Sequence, residues 1–155
     1  AALEARAKGV EDVLILERDQ MLGGILQQCI HDGFGLIKFG QRLSGSTYAQ
    51  RFADEVKKDK KIEVRCDTMV LSVSEDRQVV AISENYGLMA FEAEAVILAM
   101  GCRERTRAQV QIMGTRPAGV YTAGTVQRMI NMEGLRPGNR VVILGSGDIG
   151  LVDNT

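Results

Sequence analysis

Val141-Val142-Ile143-Leu144-Gly145-Ser146-Gly147-Asp148-Ile149-Gly150 decides how the chain is read. Four apolar residues run straight into G-x-G-x-x-G, the context in which that motif carries chemistry. The predicted buried strand delivers the backbone to Gly145, which makes the tight turn. Gly147 lets the backbone approach a pyrophosphate, and Gly150 allows close helix–strand packing. An anion there meets free N–H groups and the positive end of a helix dipole. Without a ligand the same letters are only a glycine-rich turn. The five residues that follow, Leu151-Val152-Asp153-Asn154-Thr155, are too short and polar to be the motif's helix.

A second acidic strand end stands near the start. Ala1–Lys8 reads as a helix of strong formers stopped by Gly9, and Val13-Leu14-Ile15-Leu16-Glu17 as a strand buried on both faces. Helix, short loop and buried strand make the second half of a βαβ unit. In a dinucleotide fold the ribose-binding acid lies about 20 residues beyond the glycine motif. Counting back from Glu17 places such a motif just before Ala1, so the chain is expected to be a fragment whose first glycine turn is missing. A carboxylate at Glu17 accepts bonds from ribose hydroxyls and repels a 2′-phosphate. A surface glutamate at a strand end is the plain alternative.

The segments between predict mixed architecture. Leu22, Ile25, Leu26, Cys29 and Ile30 share one helical face, residues 31–45 are a glycine-punctuated loop, and Thr47-x-x-Gln50 suits a capping box for a helix to about Lys60 with Tyr48, Phe52 and Val56 as its apolar stripe. Lys57, Lys58, Lys60 and Lys61 suit its negative end, as a solvated helix end rather than a phosphate site. Ile62–Arg65 is a strand, and Met69–Val73, Val79–Ser83 and Leu88–Phe91 form an antiparallel meander. Ala95–Met100 is another buried strand, and Thr125–Met132 a helix. The whole predicts an α/β fold.

Composition narrows the function. The chain has 155 residues, 19 basic and 20 acidic, without a basic stripe. That argues against nucleic acid or an anionic membrane as partner. No apolar run approaches the roughly 20 residues needed to span a bilayer. Glycine is rich, at 17 residues against two prolines. Cys29, Cys66 and Cys102 fit neither a disulfide framework nor a metal site, so a soluble, cytoplasmic protein is expected. Cys29 reads as a packing thiol on the apolar face, or as a thiol near a reaction centre. His31, beside Asp32, reads as a proton carrier or a loop anchor. Arg103, Arg105, Arg107 and Arg116 either neutralise phosphates or form a solvated loop paired with Glu104.

Two dinucleotide motifs in one chain, together with Leu16-Glu17-Arg18, Gly23-Gly24, Ala95-Val96-Ile97-Leu98-Ala99-Met100-Gly101 and Gly119-Val120-Tyr121-Thr122-Ala123, resemble the pyridine nucleotide–disulfide oxidoreductase superfamily. That resemblance implies a Rossmann-like FAD-binding domain with a parallel sheet plus an antiparallel meander, truncated at both ends. Residues 1–135 would be the partial FAD domain and 136–155 the start of an NAD(P)-binding one. By position, Glu17 matches the acid on the adenosine ribose, with Arg18 beside it. Gly23 and Gly24 match the loop near the pyrophosphate, and Val70 the backbone partner of adenine. Ala99-Met100-Gly101 matches the family's Ala-Thr-Gly, with Met100 replacing the threonine. Gly145, Gly147 and Gly150 would hold NAD or NADP, and the residue that discriminates them lies beyond Gly150.

The family's C-x-x-x-x-C pair is missing after Gly24, so dithiol chemistry is not implied. The pattern looks more like the branch with FAD-dependent subunits of opine and amine dehydrogenases and flavoproteins accompanying glycerol-3-phosphate dehydrogenase. The implied reaction is hydride transfer between FAD and a nicotinamide, or a small amine or hydroxy substrate. A second oxidoreductase subunit is a candidate partner. The fragment alone is expected to be inactive, and catalytic residues are not identified. A non-catalytic scaffold with a degenerate dinucleotide fold is the rival reading. The meander speaks against an NAD-only dehydrogenase, which would place a crossover helix there.

Overall fold

In the computed structural model, β1 (Val13–Leu16) pairs in parallel with β4 (Ile62–Arg65), in the register Val13↔Ile62 to Leu16↔Arg65. The structure describes residues 1–145 and 147. Parallel neighbours need a crossover, and the intervening chain supplies α3 (Gly45–Lys58). Helix α1 (Ala2–Ala7) precedes β1. The chain divides into two compact units: Ala1–Gly24 with Thr47–Met100, and Ile25–Ser46 with Gly101–Thr155.

In the first unit α3 buries Ala49, Ala53 and Val56, spaced one helical turn apart, and Ile62 is buried at the start of β4. The apolar stripe thus lies nearer the alanines than the Tyr48–Phe52 pair, whose rings meet edge to face at 5.1 Å. The helix also starts two residues before the expected Thr47 cap, and Gln50 Nε2 donates to Asp54 Oδ1 at 2.6 Å. Arg6 pins α1 down: its Nε donates to Asp59 Oδ2 at 2.9 Å and its Nη1 to the carbonyls of Val10 and Glu11.

The meander is as expected: β5 (Thr68–Val73), β6 (Gln78–Ser83) and β7 (Gly87–Glu92) pair antiparallel in the order β5-β6-β7. Val79, Ala81 and Ser83 alternate onto its buried face, and Ala81 is wholly enclosed. A shift of register between Val70 and Ser72 bulges β5. The Arg65 guanidinium lies over the rings of Tyr86 and Phe91, 5.5 and 5.2 Å from their centroids, fastening β4 to the meander.

The expected helix around residues 22–30 is only a 3₁₀ turn, Gly24–Gln28, which leads from the first unit into the second, with Ile25 and Ile30 exposed and Gln28 buried. Gly24 enters it at φ 52°, outside the right-handed region, and the carbonyl of Cys29 accepts from Gly45 N at 2.8 Å, turning the chain away. The expected loop 31–45 contains β2 (Asp32–Phe34), the single helical turn α2 (Leu36–Phe39) and β3 (Leu43–Ser44), with β2 antiparallel to β3. Helix α4 spans Ala123–Asn131.

Two expectations are overturned. Ala95–Met100 and Val141–Leu144 are irregular, not buried strands; Met100 is 80% and Val142 95% exposed. A strand buried on both faces needs neighbours to ladder with, and among the described residues neither segment has one. The described fold is mixed α/β, with one two-stranded parallel pair and an antiparallel meander.

Candidate functional site

The carboxyl end of the parallel pair is the place where open α/β sheets bind ligands, and Glu17 stands there, half-buried, directly after Leu16. Its backbone is fixed on both sides. Glu17 N donates to Arg65 O at 2.9 Å, and Thr68 N donates to Glu17 O at 2.9 Å. Asp67, at φ 51°, turns the chain from β4 into β5 and donates its N–H to Asp19 O at 3.0 Å. Thr68, 1% exposed, closes this edge by donating from Oγ1 to Cys66 O at 2.9 Å. The Glu17 side chain folds back so that Oε1 accepts the N–H of Asp19 at 2.9 Å. Its second oxygen, Oε2, has no protein donor among the described residues.

Below the loop that leaves β1 is a shallow cleft of about 160 Å³. It is lined by Gln20, Met21 and Leu22, by Gln50, Ala53 and Lys57 of α3, and by Val64 and Cys66. Burial pushes the Cys66 thiol above the ordinary cysteine range, and the negative charges of Glu17 and Asp67 push the same way against Lys57. A thiol pushed up in this way is held toward its neutral form, which suits packing better than nucleophilic attack. Lys57 brings the cleft a cation, although the sequence placed it in a solvated helix end.

The other expected positions are distributed as follows. Arg18 is exposed beside Glu17. Gly23 and Gly24 end the loop, both at positive φ, 120° and 52°. Val70 lies in β5 opposite Ala81, within the same unit. Ala99, Met100 and Gly101 are exposed in irregular chain. Gly145, at φ 132°, and Gly147 are exposed and irregular, while Gly150 lies outside the described residues.

In the second unit Cys29 is half-buried, its thiol also raised by burial and its Sγ 3.3 Å from Ile25 O. His31 is exposed and tilts over Phe34, 5.3 Å between ring centroids. Asp32 pairs with Arg42 at 3.6 Å. Cys102 is exposed. Among the described residues no cluster of His, Cys, Asp and Glu could hold a metal ion, and no helix is long and apolar enough to cross a membrane.

Two constellations escaped the sequence reading. Gln28 and Gln127, each 5% exposed, form a buried amide pair: Gln28 Nε2 donates to Gln127 Oε1 at 2.8 Å and to Gly124 O at 3.1 Å, while Asn131 Nδ2 donates to Gln28 O at 2.8 Å. Gln127 and Asn131, four apart on α4, were the one hint available. Glu104 bonds the first turn of α4, a pairing across 20 residues that no local pattern announces.

By fold and site the chain is a mixed α/β protein with an acid at the carboxyl edge of a parallel strand pair. It is 28% identical over 149 residues to hydrogen cyanide synthase subunit HcnB of Pseudomonas protegens, an alignment taking in 96% of this chain and 31% of that protein. The chain thus spans about a third of the length of this curated relative. No family model and no solved structure matches it.

Proposed function

We propose that this chain is part of an FAD-dependent oxidoreductase, in which residues 1–135 make most of a Rossmann-like FAD-binding domain and residues 136–155 open an NAD(P)-binding one. The observation that carries the reading is Glu17. It stands at the carboxyl edge of a β-α-β parallel pair, its backbone locked, one carboxylate oxygen held by Asp19 N–H and the other open to a donor. The residues present fit the ribose end of such a cofactor, because a carboxylate with an open oxygen accepts the hydroxyl of a sugar diol. The antiparallel meander, where an NAD-only domain would have a crossover helix, favours the flavoprotein version. The likeness to HcnB adds to it, and that relative's name as a subunit favours a protein partner here too.

In this reading Arg18 flanks the adenosine, Gly23 and Gly24 pass the pyrophosphate, and Val70 offers backbone to adenine. Ala99, Met100 and Gly101 pack on the cofactor by backbone, and Gly145, Gly147 and Gly150 cradle NAD or NADP. Bound FAD would supply the hydride acceptor, and the chain would bind, orient and exclude water. The substrate would be a nicotinamide or a small amine or hydroxy compound.

On this reading the test belongs to the longer protein of which the chain would be a part. Purified as expressed, it should show a flavin spectrum and release FAD on denaturation. Glu17→Ala should weaken FAD retention by about tenfold or more, because one charge-assisted hydrogen bond is worth roughly 1.5–3 kcal/mol. A colourless protein that neither binds added FAD nor is reduced by any nicotinamide or amine donor would favour the scaffold reading.

A further inference from the structure

Helix α4 is capped from a distance. Thr122 holds the N-cap position, but its hydroxyl caps no helix N–H. It donates to Glu104 Oε2 at 2.6 Å and lies 2.8 Å from Thr125 Oγ1. The N–H of Gly124, one of the donors every helix start leaves without an internal partner, goes to Glu104 Oε1 at 2.7 Å. Both oxygens of one carboxylate are thus engaged at the first turn, where the helix dipole favours negative charge. Gly124 is not among the glycines at positive φ, so its backbone does not demand glycine. A Cβ there would stand 2.8 Å from Glu104 Cδ and Oε2 and 3.0 Å from Oε1, so a side chain at this position would push the exposed Glu104 carboxylate off the helix start.

The chain between these two residues is an exposed excursion with an unusual charge content. From Cys102 to Tyr121 it has four arginines, and Glu104 is its one acid. Arg107 is spent internally, donating from Nη2 to the carbonyls of Met113 (2.7 Å) and Gly114. Arg103, Arg105 and Arg116 are exposed and have no partner among the described residues. Where the sequence allowed a solvated loop paired with Glu104, the carboxylate is committed to α4 instead.

We propose that Glu104 and Gly124 form a conformational latch. Closed, it holds the 102–122 excursion on the first turn of α4 and keeps the loop's one carboxylate away from its three free arginines. Open, it returns that carboxylate to the loop and frays the helix start. The latch stands on these contacts alone and does not depend on the flavoprotein reading.

Residue-by-residue amide exchange of the 155-residue chain tests it without any cofactor. Glu104→Ala should speed exchange at Gly124 by about tenfold, the usual size of one lost cap, and leave the amides of β5, β6 and β7 unchanged. Glu104→Gln, which keeps an acceptor for the Gly124 N–H, should fall between. Gly124→Ala gives the sharper sign. Alanine ordinarily strengthens a helix relative to glycine, yet here it should speed exchange at the α4 amides while Glu104 is present and slow it in the Glu104→Ala background. Exchange at Gly124 within about twofold of the parent in Glu104→Ala, or α4 protection raised by Gly124→Ala with Glu104 in place, would overturn the latch. If Gly124→Ala does not fold, the Glu104→Ala and Glu104→Gln pair decides alone.

Discussion

The two units of this chain hold together by different chemistry. The first encloses mainly Ala49, Ala53, Val56, Ile62, Val79 and Ala81, side chains that need only be apolar and the right size, with the hydroxyls of Thr68 and Ser83 beside them. In the second, the side chains enclosed among the described residues are the amides of Gln28 and Gln127. Burial of apolar surface is non-directional and tolerates small displacements. An amide pair holds only while each donor faces its acceptor, and a lost partner leaves a desolvated group behind. The first interior should therefore resist small shifts and fail by cavities, and the second should fail by unpaired groups.

The largest effect should come from the first unit. Ile62→Ala removes buried methylenes at the start of β4, and such truncations cost about 2–5 kcal/mol. A urea titration measures it. If the α4 amides lose protection in step with those of β1 and β4, the units melt together and the contrast between them is only architectural. If α4 survives, the two chemistries are energetically separate.

The second unit should give a smaller loss with a telling non-additivity. Gln127→Leu leaves Gln28 Nε2 with Gly124 O as its remaining acceptor, at a cost of roughly 1–3 kcal/mol. The double variant with Gln28→Leu removes both partners and should cost less than the two singles together, because no orphan remains. Strict additivity in urea titrations would mean that the amides pack as shapes and that the bond between them contributes nothing.

How much of this was readable follows the same divide. The three meander strands were legible because alternation records which face is covered and each has a partner close in sequence. Val13–Leu16 and Ile62–Arg65 were legible as apolar runs although they pair across a crossover, and β1 is half-buried where burial on both faces was expected. Glu17 at the strand end was legible for the same reason: Leu16 and Arg65 put it on the sheet edge. The 22–30 helix was misread because five apolar residues at helical spacing outvoted Gly23 and Gly24, whose positive φ angles end any helix there. Ala95–Met100 and Val141–Leu144 read as buried strands because composition records an appetite for burial, not the neighbour that satisfies it. Apart from the Gln127–Asn131 spacing on α4, Gln28 with Gln127, and Glu104 with Gly124, left no trace, since a polar side chain looks the same in a sequence whether it meets water or another amide.

Within the first unit, the clasp made by Arg65 combines both kinds of chemistry. Its guanidinium is charged, yet it lies over the rings of Tyr86 and Phe91 and donates toward Met89 Sδ at 3.3 Å. Arg65→Met keeps the length and apolar stem and removes the cation. A loss of about 0.5–2 kcal/mol is expected, and none if stem packing does the holding. Arg65→Lys should recover only part, since an ammonium cannot stack as a plane.

The smallest effect sharpens the comparison through pH. The Lys61 backbone N–H first, and then the Arg6 side chain, hold the Asp59 carboxyl below the usual aspartate range. A depressed carboxyl favours the folded state above its unfolded pKa, and that contribution is lost as pH falls through the folded value. Against Asp59→Asn, the parent should keep a constant advantage in urea midpoint at neutral pH. The advantage should shrink below the ordinary aspartate range and vanish in stronger acid. Cys29 and Cys66 run the other way: thiols raised by burial stabilise the fold while neutral, and that part is lost in alkali. Acid should therefore strip the α1 pin from the first unit while leaving the Gln28–Gln127 pair, which does not titrate, unchanged. Acid sensitivity of the α1 amides no greater than that of β5, β6 and β7 would show that the pin at Asp59 is not what acid removes.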